Sequence, residues 1–225
     1  MSEWVVLKTS DKEEIEAYVA RPKGEPLAGL VIVQEIFGVN THIQAVTDRY
    51  AELGYLAVAP AIFDRVEKNV KLDYSQEGYK EGMRLYGKIS PEVSLHDVSA
   101  AVDYARSATG KKVGVVGFCY GGSEAWLAAT RLDVQAAVGY YGGYIGKFAG
   151  EKVKAPVMLH FGSKDDHIPP SVAEAAKAAN PDIEVYWYED AGHAFNRDAD
   201  PAAFAPEAAK LALARTTAFF EKYLA

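Results

Sequence analysis

The stretch VGVVGFCYGGSEAWLAA, residues 113–129, decides the fold. Its first part, Val113 to Phe118, is an apolar, valine-rich run of the kind found in a strand buried on both faces. Its second part, from Gly121 onward, has the composition of a helix. Between them stands Cys119, the only cysteine of the chain, flanked at two residues' distance by Gly117 and Gly121. A strand that turns at once into a helix, with glycines to permit the close approach, is the repeating unit of a parallel α/β sheet. Ligands in such sheets bind beyond the carboxyl ends of the strands, and Cys119 falls at such an end.

The same alternation extends in both directions. WVVLKT and EIEAYVARP, near the start, read as an antiparallel pair. LAGLVIVQE, YLAVAP, VQAAVGYYGG, APVMLHFG and IEVYWYE read as further strands. Between them lie helical stretches: NTHIQAVTDRYAELG with Asn40 or Thr41 as cap and Gly54 as stop, then YSQEGYKEGMRLYG, VSLHDVSAAVDYARSATG and PSVAEAAKAAN, with PEAAKLALARTTAFFEKYLA as an amphipathic tail. The expected architecture is one α/β domain over residues 1–225, a mostly parallel sheet of about eight strands with helices on both faces.

Composition narrows the function. The chain has 24 basic and 31 acidic residues, net −7, and no Lys/Arg-rich run, which argues against nucleic acid or an anionic membrane as partner. A single cysteine makes no internal disulfide, and MSEWVVLKTSDKEE has charges where a secretory signal needs an apolar run, so the expected location is the cytoplasm. The histidines and carboxylates lack metal-ligand spacing, and no G-x-G-x-x-G loop opens a helix, so neither metal nor dinucleotide nor other cofactor is expected. The expected partner is a small-molecule substrate, with the chain a monomer or weak oligomer.

Cys119 reads in two ways. It is a small buried packing residue, or it is a nucleophile on a strained strand-to-helix turn, with a helix N-terminus aimed at the sulfur. A nucleophile of this kind has partners in the chain order nucleophile, acid, histidine. GSKDDHIPP supplies the acid, Asp165 or Asp166, after one strand, and His193 follows the last strand in EDAGHAFNR. His167 is the rival histidine, His160 reads as a core residue, and His42 and His96 read as solvated helix positions. Phe37, Tyr120, Tyr140, Tyr141, Tyr144 and Phe195 gather at candidate strand ends, as core or as pocket wall. The backbone N–H groups of Tyr120, just after the cysteine, and of Ile36, after the third strand, are the expected oxyanion donors.

With these residues in view, the sequence resembles the dienelactone hydrolase family of α/β-hydrolases. The resemblance spans nearly the whole chain and rests on VIVQEIFGVN (31–40), GFCYGG (117–122), GSKDDHIP (162–169) and GHAFNR (192–197). It implies an α/β-hydrolase fold and a cysteine hydrolase of small esters or lactones, working through an acyl-enzyme. It implies Cys119 as nucleophile, Asp165, four residues before Pro169, as the acid, His193 as the histidine and Glu35 as the family's loop glutamate; a glutamate after a buried strand needs a partner, either Arg197 by ion pair or the Cys119 thiol by hydrogen bond. It also implies Arg197 as the carboxylate binder, with Phe37, Tyr79 and Lys80 as further substrate contacts; Tyr79 stands where the family's lactonase has a second arginine. The competing readings are a general carboxylesterase or thioesterase, and a redox-sensing or ligand-binding protein that uses the lone thiol.

Overall fold

A computed structural model describes residues 1–225. Eight strands form a sheet in the order β1-β2-β4-β3-β5-β6-β7-β8. They are β1 Ser2–Lys8, β2 Glu14–Ala20, β3 Gly29–Val33, β4 Leu56–Pro60, β5 Val113–Phe118, β6 Ala136–Tyr140, β7 Val157–Gly162 and β8 Glu184–Tyr188. Two compact units divide the chain, Met1–Val115 and Val116–Ala225.

In the first unit, β1 and β2 pair antiparallel from Ser2↔Ala20 to Lys8↔Glu14, as WVVLKT and EIEAYVARP suggest. β2 runs antiparallel to β4, and β3 parallel to β4. Every residue of β3 and β4 is buried, which accounts for their unbroken apolar sequence. Helix α1 (Thr41–Glu52) is capped by Asn40, whose side chain accepts from the Ile43 N–H at 3.2 Å. Its buried residues are His42, Ile43, Val46, Thr47, Tyr50 and Ala51, a stripe of helical period. His42 lies on that stripe and is 2% exposed, so it is a core residue and not the solvated position its polarity suggests. His96, on helix α3 (Pro91–Thr109), is half-exposed and bonds the Ser10 hydroxyl through Nδ1 at 2.7 Å. A short 3₁₀ turn, Ile62–Arg65, has no counterpart in the sequence reading. It carries Arg65, which donates through Nε to both oxygens of buried Asp97 and through its terminal nitrogens to Asp11. Burial pushes Asp97 up to about 6 even though Arg65 opposes the shift.

The loop after β3 is held from several sides. Gln34 accepts the Ile62 N–H at 3.2 Å and donates to the Glu35 carbonyl at 3.2 Å. Gly82, on helix α2 (Gln76–Tyr86), has no room for a side chain, since a Cβ there would meet the Ile36 carbonyl oxygen at 2.3 Å. Gly38 has φ +75° and lies against the Val70 carbonyl, and the Phe37 carbonyl accepts the Leu72 N–H at 2.9 Å.

The second unit holds β6, β7 and β8, running parallel where β6 pairs β7 and β7 pairs β8. Its helices are α4 (Tyr120–Arg131), the single turn α5 (Ile145–Phe148), α6 (Ser171–Ala179) and α7 (Pro206–Leu224). His160, inside β7, is fully buried. Its Nδ1 bonds the Tyr188 hydroxyl at 2.8 Å and its Nε2 the Thr216 hydroxyl at 3.0 Å. Burial, aided by the charge of Arg215, pushes its pKa down to about 3, so the ring is a neutral, satisfied core group. No helix of the chain is long and apolar enough to cross a membrane.

Candidate active site

Cys119 ends β5 with φ 54° and ψ −113°, a backbone conformation that L side chains rarely adopt. The glycines around it have steric causes. A Cβ on Gly117 would meet the Gly121 oxygen at 1.8 Å, so the first turn of α4 folds directly onto the strand end. A Cβ on Gly122 would meet the Tyr140 oxygen at 2.3 Å, which lets α4 lie against the end of β6. The Cys119 N–H donates to that same Tyr140 carbonyl at 3.0 Å, and the Cys119 carbonyl accepts the Gly122 N–H at 3.0 Å. The cysteine is half-exposed, at the N-cap position of α4, and Tyr120 opens the helix beyond it. Backbone N–H groups at a helix N-terminus carry partial positive charge.

His193 lies in the turn that follows β8. Its Nδ1 pairs with Asp165 Oδ2 at 2.7 Å. The Asp165 side chain is 1% exposed and that of His193 22%. Asp166 and His167 are exposed. The structure thus separates the two adjacent aspartates: Asp165 turns in to the imidazole and Asp166 does not. The main-chain N–H of His167 donates to Asp165 Oδ1 at 2.9 Å, and the His167 ring lies edge-on to the His193 ring at 5.5 Å. A turn that places these groups together is again sterically specified, since a Cβ on Gly162 would meet the carbonyl oxygens of Ala191 and Gly192 at 2.3 and 2.6 Å.

The imidazole also hydrogen-bonds the side chain of Cys119. Cys119, His193 and Asp165 therefore form one chain of contacts from three strand ends. Burial disfavours a charged imidazole, but the hydrogen bonds and charges of Asp165 and Cys119 outweigh it and push His193 up to about 10. Burial likewise acts to raise Asp165, and the hydrogen bond and charge of His193 overcome it, leaving the carboxyl below its ordinary value.

Arg197 is 8% exposed, and its guanidinium donates to Asp200 at 3.2 Å. The partner Asp200 escaped the sequence reading, although i,i+3 spacing in a turn is its signal. In the first unit, Glu35 is fully buried, Ile36 is 6% and Phe37 5% exposed, while Tyr79 is 49% exposed and Lys80 also faces solvent. No group of three or more His, Cys, Asp or Glu side chains could hold a metal ion.

Residues 15–224 match the model of the Dienelactone hydrolase family. The chain is 36% identical over 205 residues to a carboxymethylenebutenolidase of Pseudomonas putida, covering 88% of this chain and 87% of that protein. Carboxymethylenebutenolidase 1 of Cupriavidus pinatubonensis is 30% identical over 224 residues, covering 96% and 95%. Among solved structures, a protein provisionally assigned as a dienelactone hydrolase of Klebsiella pneumoniae has a TM-score of 0.86 at 32% identity, covering 99% of this chain and 100% of that one. An esterase of Pyrococcus furiosus, with a TM-score of 0.71 at 16% identity and coverage of 100% and 94%, shares the fold alone. The fold is that of the α/β-hydrolases.

Proposed function

Since the chain belongs to the dienelactone hydrolase family and is a hydrolase acting on carboxylic ester bonds, we propose that it cleaves small esters or lactones that bear a carboxylate, through an acyl-enzyme on Cys119. The observation that carries this reading is the hydrogen-bonded chain from Asp165 through His193 to Cys119 at the strained end of β5. The sulfur attacks the carbonyl carbon, and the oxyanion is held by the backbone N–H groups of Tyr120 and Ile36, each worth about 3 kcal/mol in such a transition state. The tetrahedral intermediate collapses by breaking the C–O bond, and His193 gives its proton to the leaving oxygen. Now neutral, the imidazole takes a proton from water, whose oxygen attacks the thioester and releases the sulfur. Asp165 keeps the ring in one tautomer throughout. The redox-sensor alternative gives Asp165 and His193 no work to do.

The test is hydrolysis of 4-nitrophenyl acetate and of matched lactones with and without a free carboxylate, before and after alkylation by iodoacetamide. Loss of turnover in step with alkylation supports the proposal. Full turnover by the alkylated protein overturns it.

Two roles carry their own tests. We assign Glu35 as a further base for the thiol proton, from the sequence resemblance and its complete burial. Glu35→Gln is expected to lower kcat by about 10²-fold or more, the range for general base catalysis, with the full complement of thiol still titratable after unfolding. Unchanged kcat removes Glu35 from the reaction. Arg197 is assigned to the substrate carboxylate, for which its buried guanidinium is shaped. Arg197→Ala should cost about 1.5–3 kcal/mol in kcat/KM for anionic substrates and little for neutral ones. Equal losses on both classes would make it a structural partner of Asp200.

A further inference from the structure

The hydrogen bond to Asp165 holds His193 at one edge of its ring and leaves rotation of the ring plane to be fixed by something else. On one side lies the His167 ring, 5.5 Å away and exposed, which is able to yield. On another lies Tyr141, fully buried, with its ring centroid 4.9 Å from that of His193 and tilted by 58°. The Tyr141 hydroxyl donates to Asn196 Oδ1. Asn196 belongs to the same turn as His193, three residues on, and the Ala194 carbonyl accepts the Arg197 N–H at 2.9 Å to close it. Tyr141 therefore grips this turn at two points, by its ring against the imidazole and by its hydroxyl on Asn196.

Tyr141 is itself fixed. Its N–H donates to the His160 carbonyl at 2.8 Å, on the strand that leads to Asp165, and the carbonyl of the preceding Tyr140 accepts the Cys119 N–H at 3.0 Å. Besides Cys119, two non-glycine residues of this assembly have positive φ, Tyr141 at 39° and Ala194 at 60°. Such conformations persist where the surroundings over-determine them. One dipeptide at the end of β6 thus touches the elements that carry all three candidate groups.

We infer that Tyr141 and Asn196 are positioning residues, whose hydrogen bond holds the 193–196 turn so that the imidazole of His193 stays aligned with Cys119. The inference rests on the reading of Cys119 and His193 as the reacting pair. Neither residue takes or gives a proton in the proposed reaction. Misplacement by about 1 Å costs on the order of 10²-fold in rate, and a ring that is loosened but still bonded to Asp165 should lose about 10-fold.

The experiment uses the whole chain with Tyr141→Phe, Asn196→Ala, the double variant, and Asn196→Asp, which keeps an acceptor for the tyrosine hydroxyl. Three quantities are measured: kcat and KM on 4-nitrophenyl acetate, the pH dependence of Cys119 alkylation by iodoacetamide, and Tm. The titratable groups that face His193 are Asp165, Cys119, His167 and Tyr141. Each single variant is expected to lower kcat about 10-fold with KM within about twofold, and to move the alkylation profile to the same extent. The double variant should be no worse than the poorer single, and Asn196→Asp should recover most of the loss. Three results overturn the inference: single variants whose kcat and alkylation stay within twofold of wild type, effects that multiply in the double variant, or losses that follow only the unfolded fraction. Should Tyr141→Phe fail to fold, Asn196→Ala at its half-exposed position decides the matter. Cys119→Ala is assayed alongside. If that variant still turns over, the reading of the reaction fails, and the alkylation profile continues to report on the positioning.

Discussion

Cys119→Ala is expected to abolish ester hydrolysis, with kcat lower by about 10⁴-fold or more, while the protein folds as before. The chemical reason is that no other thiol exists to form an acyl-enzyme. The structural reason is that the side chain is half-exposed, so its removal leaves no sealed cavity to destabilise the core. Alanine meets the same backbone strain at φ 54° as any other L residue, so the turn is neither relieved nor worsened. The measurement is initial rates on a chromogenic ester with purified variant, together with circular dichroism and Tm. Residual turnover above about one hundredth of wild type, far more than a triad deletion leaves, would move the chemistry away from the sulfur.

Asp165→Asn should be nearly as severe, about 10⁴-fold in kcat. The substitution keeps size and planarity in a position that is 1% exposed, so packing is preserved. What changes is the hydrogen bond at 2.7 Å to His193 Nδ1. A carboxylate accepts from that nitrogen; an amide can present its N–H₂ there instead and favour the wrong tautomer. The charge also disappears. Asp165 is among the groups that outweigh burial in raising His193 to about 10, so without it the imidazole must titrate lower. A lower value means the proton is lost earlier as pH rises. The alkaline limb of the pH–rate profile should therefore move toward neutrality in Asp165→Asn. Asp166→Asn, at an exposed position, should leave both rate and profile as they are. An unmoved limb in Asp165→Asn, or an equal loss in Asp166→Asn, would show that the carboxylate does not govern the ring.

The legible part of this molecule is what local chemistry dictates. Buried parallel strands read as unbroken apolar runs, and the strand-to-helix turn at Cys119 announced itself through Gly117 and Gly121; a Cβ on Gly117 would come within 1.8 Å of the Gly121 oxygen. Asn40 capped its helix as its side chain suggests. What escaped lies in tertiary context. His42 follows the buried stripe of α1, which the polarity of histidine disguises. The 3₁₀ turn Ile62–Arg65 and the single turn Ile145–Phe148 are too short to show a period. The sequence alone leaves Asp165 and Asp166 alike, and which of them meets His193 shows only in the side-chain directions. Tyr141 and Asn196 are 55 residues apart, and nothing in either neighbourhood points to the other.

Cys119 precedes His193 by 74 residues, and the carbonyl that receives its N–H, on Tyr140, also lies downstream. During synthesis from the N-terminus, at about 5–20 residues per second, roughly 4–15 s pass between the two. Throughout that interval the sulfur lacks its imidazole, and for the first 21 residues of it the Cys119 N–H also lacks the Tyr140 carbonyl. The contacts around Cys119 are therefore completed only when the final strand and the turn beyond it dock, and on the proposed reading an unfinished chain on the ribosome holds the sulfur without its partners.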